Sequence, residues 1–299
     1  MRRLLRHLRI FHLALLRASR HDWLNLAQST AYSAMVALFP ALIVAAAVIS
    51  FLPDNTPIRT QLAILFDRVL PPDVSPLLQG YFVDEPHSPR STHAFIVAFV
   101  LGIIGASSVI ATLMEGVRRA NDLPVNCWTF LQRRLRALLL VPLSLVPFTI
   151  ASILVVFGHF FTQWLATHIV PSAQTPIFVI ALLLRWSIAL AGSVGIIGLI
   201  YHMGTPMEQS WKRVLPGAIL STIAWFLTTL GFGWYVTRFA NYSQVYGSLG
   251  AAIALLFWLY IISLCVLYGA EFNLEFHSRA SRARSTQSKA PTPNTLPPV

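Results

Sequence analysis

Long apolar runs separated by short polar connections set the architecture of this chain. A helix needs about 20 apolar residues to cross a bilayer. Six runs approach or exceed that length: residues 31–52, 94–114, 137–161, 177–203, 214–237 and 246–272. Pro40 sits in the middle of the first, where a lost backbone hydrogen bond predicts a kink. Pro142 and Pro147 lie near the start of the third, and Arg185 interrupts the fourth. The pattern predicts an all-α, polytopic integral membrane protein with six transmembrane helices. It divides into a basic amphipathic segment (1–30), a transmembrane domain (31–276) and a tail rich in Ser, Thr, Pro and Arg (277–299) that is expected to be disordered. The connection 53–93 is long, and its middle, "IRTQLAILFDRVL", has the helical spacing of a segment lying along the membrane interface. The short apolar core "IFHLALL" is followed at once by Arg17 and Arg20 rather than by small residues, so a surface helix is expected there and not a secretory signal.

Composition agrees with this reading. Of 299 residues, 56% are hydrophobic and 11% charged, against about 25% charged in soluble domains. The net charge of +11 is informative through its placement. Arg2, Arg3, Arg6, Arg9, Arg17 and Arg20 precede the first run; Arg118, Arg119, Arg133, Arg134 and Arg136 follow the second; Lys212 and Arg213 follow the fourth; and Arg279, Arg282, Arg284 and Lys289 follow the sixth. These seventeen fall on one side, against Arg59, Arg68, Arg90 and Arg238 on the other. The bias predicts both termini in the cytoplasm. Without a basic patch on a soluble surface or a binding module, the charge does not point to nucleic acid. Cys127 lies in a basic loop and Cys265 in an apolar run, so no disulfide is expected, and two cysteines cannot form a structural zinc site.

The stretch "YGSLGAAIALLFWLY" has Gly247 and Gly250 but no following lysine before Lys289, which excludes a phosphate-binding loop. On a helix, Gly247 with Ala251 and Gly250 with Ala254 form small-residue tracks that let a neighbouring backbone approach. Gly102 with Ala106, and Gly192, Gly195 and Gly198, make similar tracks. Ser107 and Ser108 lie in an apolar run with no acid before Glu115, so their hydroxyls are expected to bond to backbone rather than to act as nucleophiles. No His, Asp or Glu spacing matches a metal site, and none is assigned.

Four stretches carry a family resemblance. "YGSLGAAIALLFWLYIISLCVLYGAEFNLEF" resembles the C-terminal signature of the YihY/BrkB family of bacterial inner-membrane proteins. "WKRVLPGAILSTIAWFLTTLGFGWYVTRFANYSQVYGSLG", with Pro216 and Gly217, resembles the segment before it. "STAYSAMVALFPALIV" is similar to the family's first span, and "EGVRRANDL" to the loop after its second. The Pro-rich connection 53–93 departs from the family pattern. The resemblance implies a six-helix fold in the bacterial inner (cytoplasmic) membrane, without a cofactor. Members have been linked to serum resistance and to handling of envelope lipids, and the family has carried a ribonuclease label.

Several residues are candidates for a substrate or lipid path. A fully embedded arginine costs about 3 kcal/mol, so Arg185 either faces protein, water or a lipid phosphate, or snorkels to the outer boundary. Arg118, Arg119 and Asn121 either bind anionic headgroups or simply set orientation. Glu271 and Asn273, at the end of the last run, either gate an entrance by pairing with Arg118 or Arg119, or fix helix ends. Three functions compete. One is transport or flipping of an anionic envelope lipid or other amphiphile, with membrane lipids as partners. Another is a non-catalytic structural or regulatory role exercised through the basic termini. The last is a nuclease, which lacks the clustered carboxylates of a two-metal site. Small-residue faces suit a monomer as well as a homo-oligomer.

Overall fold

The structure is a computed structural model that describes residues 13–50, 89–168, 171–207, 209–239 and 242–288. Among them it contains helices and turns but no strand. A short helical segment, residues 13–20, leads into six long helices: α1 (Trp23–Ser50), α2 (Pro89–Ala120), α3 (Phe130–His168), α4 (Pro171–Met203), α5 (Trp211–Phe239) and α6 (Tyr242–Ser288). The interfacial segment expected within 53–93 lies outside the described residues, apart from the residues that open α2.

Local chemistry explains the turns at one end of the bundle. The segment 13–20 stops at Asp22 and α2 stops at Asp122, both in the left-handed region at φ 55° and 53°, which aspartate tolerates better than most residues. Arg118 and Arg119 close the last turn of α2, where cations complement the helix dipole. A reciprocal cap opens α3: the Gln132 amide N–H donates to Thr129 Oγ1 (3.3 Å), and the Thr129 N–H donates to Gln132 Oε1 (3.1 Å).

Sequential helices pack against each other around a ring that closes through α1 against α6, while α2 also reaches α4 and α6 across the middle. The largest core cluster forms where α1, α2, α4, α5 and α6 meet, around Leu26, Leu113, Val117, Tyr201, Val214 and Leu267. Much of it is small, with Ala27, Ala218 and Ala270 buried, as expected where close backbone approach replaces the hydrophobic effect as the packing force. Large apolar side chains point outward instead, among them Ile96, Val97 and Leu101 on α2 and Leu227 and Leu230 on α5. A soluble monomer does not expose such continuous apolar surface.

Five of these helices are long and apolar enough to cross a membrane among the described residues, through Trp23–Ala45, Phe95–Ala120, Leu182–Met203, Trp211–Val236 and Leu249–His277. The other helix, α3, is 39 residues long. Two boundaries differ from the hydropathy reading. The first helix begins at Trp23, because Leu26, Ala27 and Thr30 already pack into the core. The last continues to Ser288, past Ser278 where composition predicts disorder, since its Ala and Arg residues are good helix formers; residues from 289 onward lie outside the described residues.

Candidate functional site

Among the described residues, the ion pairs and most interhelical polar contacts collect at one end of the bundle, where α1, α3 and α5 begin and α2, α4 and α6 end. Three arrangements meet there.

The first is a close crossing of α5 and α6. A Cβ on Gly217 would collide with the Gly269 carbonyl and lie 2.5 Å from the Asn273 amide group. A Cβ on Gly269 would collide with Ser221 Oγ and approach Gly217 O to 2.6 Å and Tyr201 OH to 2.7 Å. Two glycines thus face each other, and polar groups fill the space. Asn273 Oδ1 accepts from the Gly217 N–H (2.6 Å), and Asn273 Nδ2 donates to Val214 O (3.0 Å). The fully buried Tyr201 of α4 donates its hydroxyl to Val266 O and lies 2.8 Å from Ser221 Oγ, which donates to Cys265 O (3.0 Å). Pro216 lacks an N–H and Gly217 gives its own to Asn273, so the Pro-Gly pair opens the first turns of α5 to a side chain from α6.

The second is an ion-pair network. Arg118, only 7% exposed, meets both oxygens of Glu115, with Nη2 2.6 Å from Oε1 and Nε 2.9 Å from Oε2, and donates a further bond to Leu123 O. Arg119 shares Glu115 (3.1 Å) and reaches Asp22 (3.4 Å); Arg133 of α3 reaches Glu115 at 3.4 Å. Glu271 of α6, with 4% of its side chain exposed, contacts His21 Nδ1 at 2.5 Å and faces Arg17 Nε at 3.7 Å. That last pair is an ion pair without a hydrogen bond, since Arg17 Nε and Glu271 Oε2 are both buried with no hydrogen-bond partner. Arg17 also pairs with Asp122. The exchange is reciprocal: each left-handed aspartate receives the arginine of the other turn. Ala14 of the segment 13–20 packs beside Phe272 of α6, while Leu15 and Leu16 stay exposed.

The third is an open cavity of about 160 Å³ lined by α2, α4, α5, α6 and the connection between α4 and α5. Asn121, Gln209, Arg213, Asn273 and His277 supply its polar lining. Gln209 Nε2 donates to Asn121 Oδ1 (3.1 Å), and Asn121 Nδ2 donates to Val117 O (2.7 Å). At the opposite end, a larger apolar groove of about 750 Å³ lies between α5 and α6, along Phe232, Tyr235, Ile253 and Phe257.

The residues singled out from sequence distribute unevenly over these features. Asn121 and Asn273 line the cavity. Arg118 and Arg119 do not pair with Glu271; Glu115 lies one turn before them on the same helix and takes both, leaving Glu271 to Arg17 and His21. Arg185 lies on α4 near the start of the apolar stretch Leu182–Met203, and its side chain is outside the described residues, as is Gly247 on α6. Gly250 borders the apolar groove. Helix α1 continues through Pro40, whose Cβ would lie an ordinary 3.8 Å from a Cβ built on Gly102 of α2; the tight contact is one turn on, where a Cβ on Gly105 would lie 2.6 Å from that of Ala37. A Cβ on Gly198 would lie 3.3 Å from the Trp211 ring, one on Gly195 would meet open space, and Gly192 is half-buried on the same helix. Ser107 and Ser108 both donate to Ile104 O, at 2.8 and 2.9 Å. Tyr201, Ser221, Gly269, Gln209 and Arg213 escaped the search for site residues. The signal that existed was a tyrosine and a serine inside apolar runs and a second glycine, in "LYGAEF", one turn before Asn273. Among the described residues no three His, Cys, Asp or Glu side chains converge as metal ligands.

Comparison with known proteins places the chain in a family. The chain is 25% identical over 263 residues, 88% of its length, to the ribonuclease-like protein YfkH of Bacillus subtilis, covering 93% of that protein. It is 28% identical over 251 residues to a UPF0761 membrane protein of Alteromonas mediterranea, covering 81% of this chain and 79% of that one. A UPF0761 membrane protein of Rhodospirillum centenum is 28% identical over 250 residues, 83% of this chain but 53% of the relative. No solved structure matches. The family described as virulence factor BrkB matches residues 14–294, from the N-terminal helical segment through the end of α6, and the chain therefore belongs to the virulence factor BrkB family.

Proposed function

We propose that this membrane protein moves an anionic envelope lipid or similar amphiphile between leaflets. In this reading all six helices span the bacterial inner membrane, the polar end of the bundle faces the cytoplasm, and membrane lipids are the partners. The observation that carries it is the two-ended character of the α5–α6 seam: a polar cavity at the basic end and an apolar groove at the other. An amphiphile needs both environments, and the groove falls in the size range of small-molecule sites. The Gly217–Gly269 crossing lies between them and holds the helices together through bonds from Asn273 and Ser221. Arg185, on the opposite part of α4 from Tyr201, adds a charge that an anionic headgroup would meet within the membrane.

The nuclease reading gains no support from the described carboxylates. The half-buried Glu115 and the buried Glu271 sit in separate ion-pair groups and are already occupied by cations. A structural or regulatory role through the termini draws on the exposed Leu15 and Leu16, which offer a partner or a headgroup layer an apolar contact. Deleting residues 1–20 and the tail separates the two readings, since a transporting core keeps activity and a recruiting protein loses its phenotype.

The test is translocation of labelled lipids in proteoliposomes, with wild type beside Arg185→Ala. Movement of phosphatidylglycerol by wild type above empty liposomes, reduced in the variant, supports the reading. Equal rates in protein-containing and empty liposomes, for both anionic and zwitterionic lipids, contradict it.

A further inference from the structure

The cavity at the basic end has a chemistry of its own. We infer that it is a binding site for a phosphate-type anion, with the Arg213 guanidinium as its principal contact and the Gln209–Asn121 amide pair as its second wall. The inference rests on the reading above for why an anion would matter at this membrane face.

Charge gives the first reason. The described lining contains an arginine and a histidine but no carboxylate, whereas four other basic side chains of this end each face one: Glu115 for Arg118 and Arg119, and Glu271 for His21 and Arg17. Arg213 alone reaches the cavity without a described partner for its guanidinium, although its backbone N–H is held by Ser210 O at 2.8 Å. A guanidinium offers five donors in a planar fork that fits phosphate oxygens in pairs.

Placement of the amides gives the second. Gln209 donates one amide proton to Asn121 Oδ1, and Asn121 donates to Val117 O, so the chain of bonds fixes both side chains. Asn273 is held by Gly217 N and Val214 O, and the backbone carbonyl of Asn273 lies 2.9 Å from His277 Nδ1. The wall is therefore oriented before any ligand arrives, which lowers the ordering cost of binding.

Size gives the third. The space of about 160 Å³ is roughly ten times what a single water needs and so admits a phosphate-sized group. A headgroup phosphate and a free phosphate share this chemistry.

Full-length protein carrying Arg213→Gln tests the site beside Lys212→Gln, which removes the same charge at the neighbouring position outside the lining. Bound lipid is counted by native mass spectrometry after equilibration in mixed phosphatidylglycerol and phosphatidylcholine micelles, and inorganic phosphate is titrated into delipidated protein. Wild type and Lys212→Gln are expected to prefer phosphatidylglycerol or to bind phosphate, and Arg213→Gln to weaken that binding about 10- to 100-fold, the range for losing a charged hydrogen-bond partner. Selectivity for the lipid with no phosphate binding identifies a membrane headgroup, and phosphate binding without lipid identifies a free anion; either supports the site. Equal losses in both variants reveal general surface attraction and overturn it, as does Arg213→Gln behaving like wild type. Arg213 is exposed and outside the core, so the variant is expected to fold, which its elution as a monodisperse species checks. Binding without translocation leaves the site standing and removes the transport reading; translocation that survives Arg213→Gln does the reverse.

Discussion

Gly269→Ala is the perturbation whose cost the structure specifies most closely. The added methyl would collide with Ser221 Oγ and sit 2.6 Å from Gly217 O and 2.7 Å from Tyr201 OH, where ordinary contact starts at 3.4 Å. A side-chain hydroxyl can rotate away, but the Gly217 carbonyl is backbone, so α5 and α6 must separate by roughly 0.8 Å. Overpacking of this kind costs about 1–3 kcal/mol. Separation also stretches three interhelical bonds, Ser221 to Cys265 O, Gly217 to Asn273 and Asn273 to Val214 O, each worth about 0.6 kcal/mol in a membrane protein. Helix propensity returns about 1 kcal/mol for the glycine-to-alanine change. The net expectation is a loss of about 2–4 kcal/mol. Reversible unfolding in mixed detergent and SDS micelles measures it, with Gly195→Ala as the reference, because a Cβ there meets nothing within 4 Å. Gly195→Ala should be neutral or slightly stabilising. Adding Ser221→Ala to Gly269→Ala should recover only part of the loss, since Gly217 O stays in place. A Gly269→Ala protein as stable as Gly195→Ala would refute the close crossing.

Two further outcomes follow from the ion-pair network. Glu115→Gln leaves Arg118 buried without its carboxylate, and breaking a buried pair in this way costs about 3 kcal/mol or more, so the yield of monodisperse protein after detergent extraction should fall sharply; Asp22→Asn, at an exposed pair, should change it little. Glu271→Gln weakens the hold of α6 on Arg17 and His21, so trypsin should cut after Arg17 and Arg20 faster than in wild type, with an unchanged rate arguing that Ala14 and Ala18 alone dock the segment.

How much of this was legible in sequence depended on whether one helix or two were involved. Lipid excludes charge from each span separately, so the helices and the clustering of arginines at one end could be read from hydropathy alone. The pairing of Glu115 with Arg118 and Arg119 follows from one-turn spacing within α2, yet matching those arginines to Glu271 required knowing which helix faces which, and that match failed. Gly102 and Gly105 illustrate the same limit: the small-residue track points to Gly102, but the rotation of α2 against Ala37 makes Gly105 the tight one. Pro216, Gly217 and Asn273 stood out by residue type, while their joint role depends on a crossing between positions 56 residues apart. Tyr201 and Ser221 were invisible for that reason, since their partners are backbone carbonyls of α6, which carry no sequence signal. The cavity drew on Arg213, read only as part of the charge bias, and on Gln209, an ordinary loop residue by composition.

The assignments made to the polar end, from cavity to N-terminal segment, depend on its facing the cytoplasm. The native cysteines allow a direct measurement. Cys127 is partly exposed in the turn between α2 and α3 at that end, and Cys265 is buried within α6. A membrane-impermeant maleimide applied to sealed vesicles of either orientation should label Cys127 in inverted vesicles and not in right-side-out ones, with Cys265 unlabelled in both. Labelling of Cys127 in right-side-out vesicles would place the polar end outside and contradict the account.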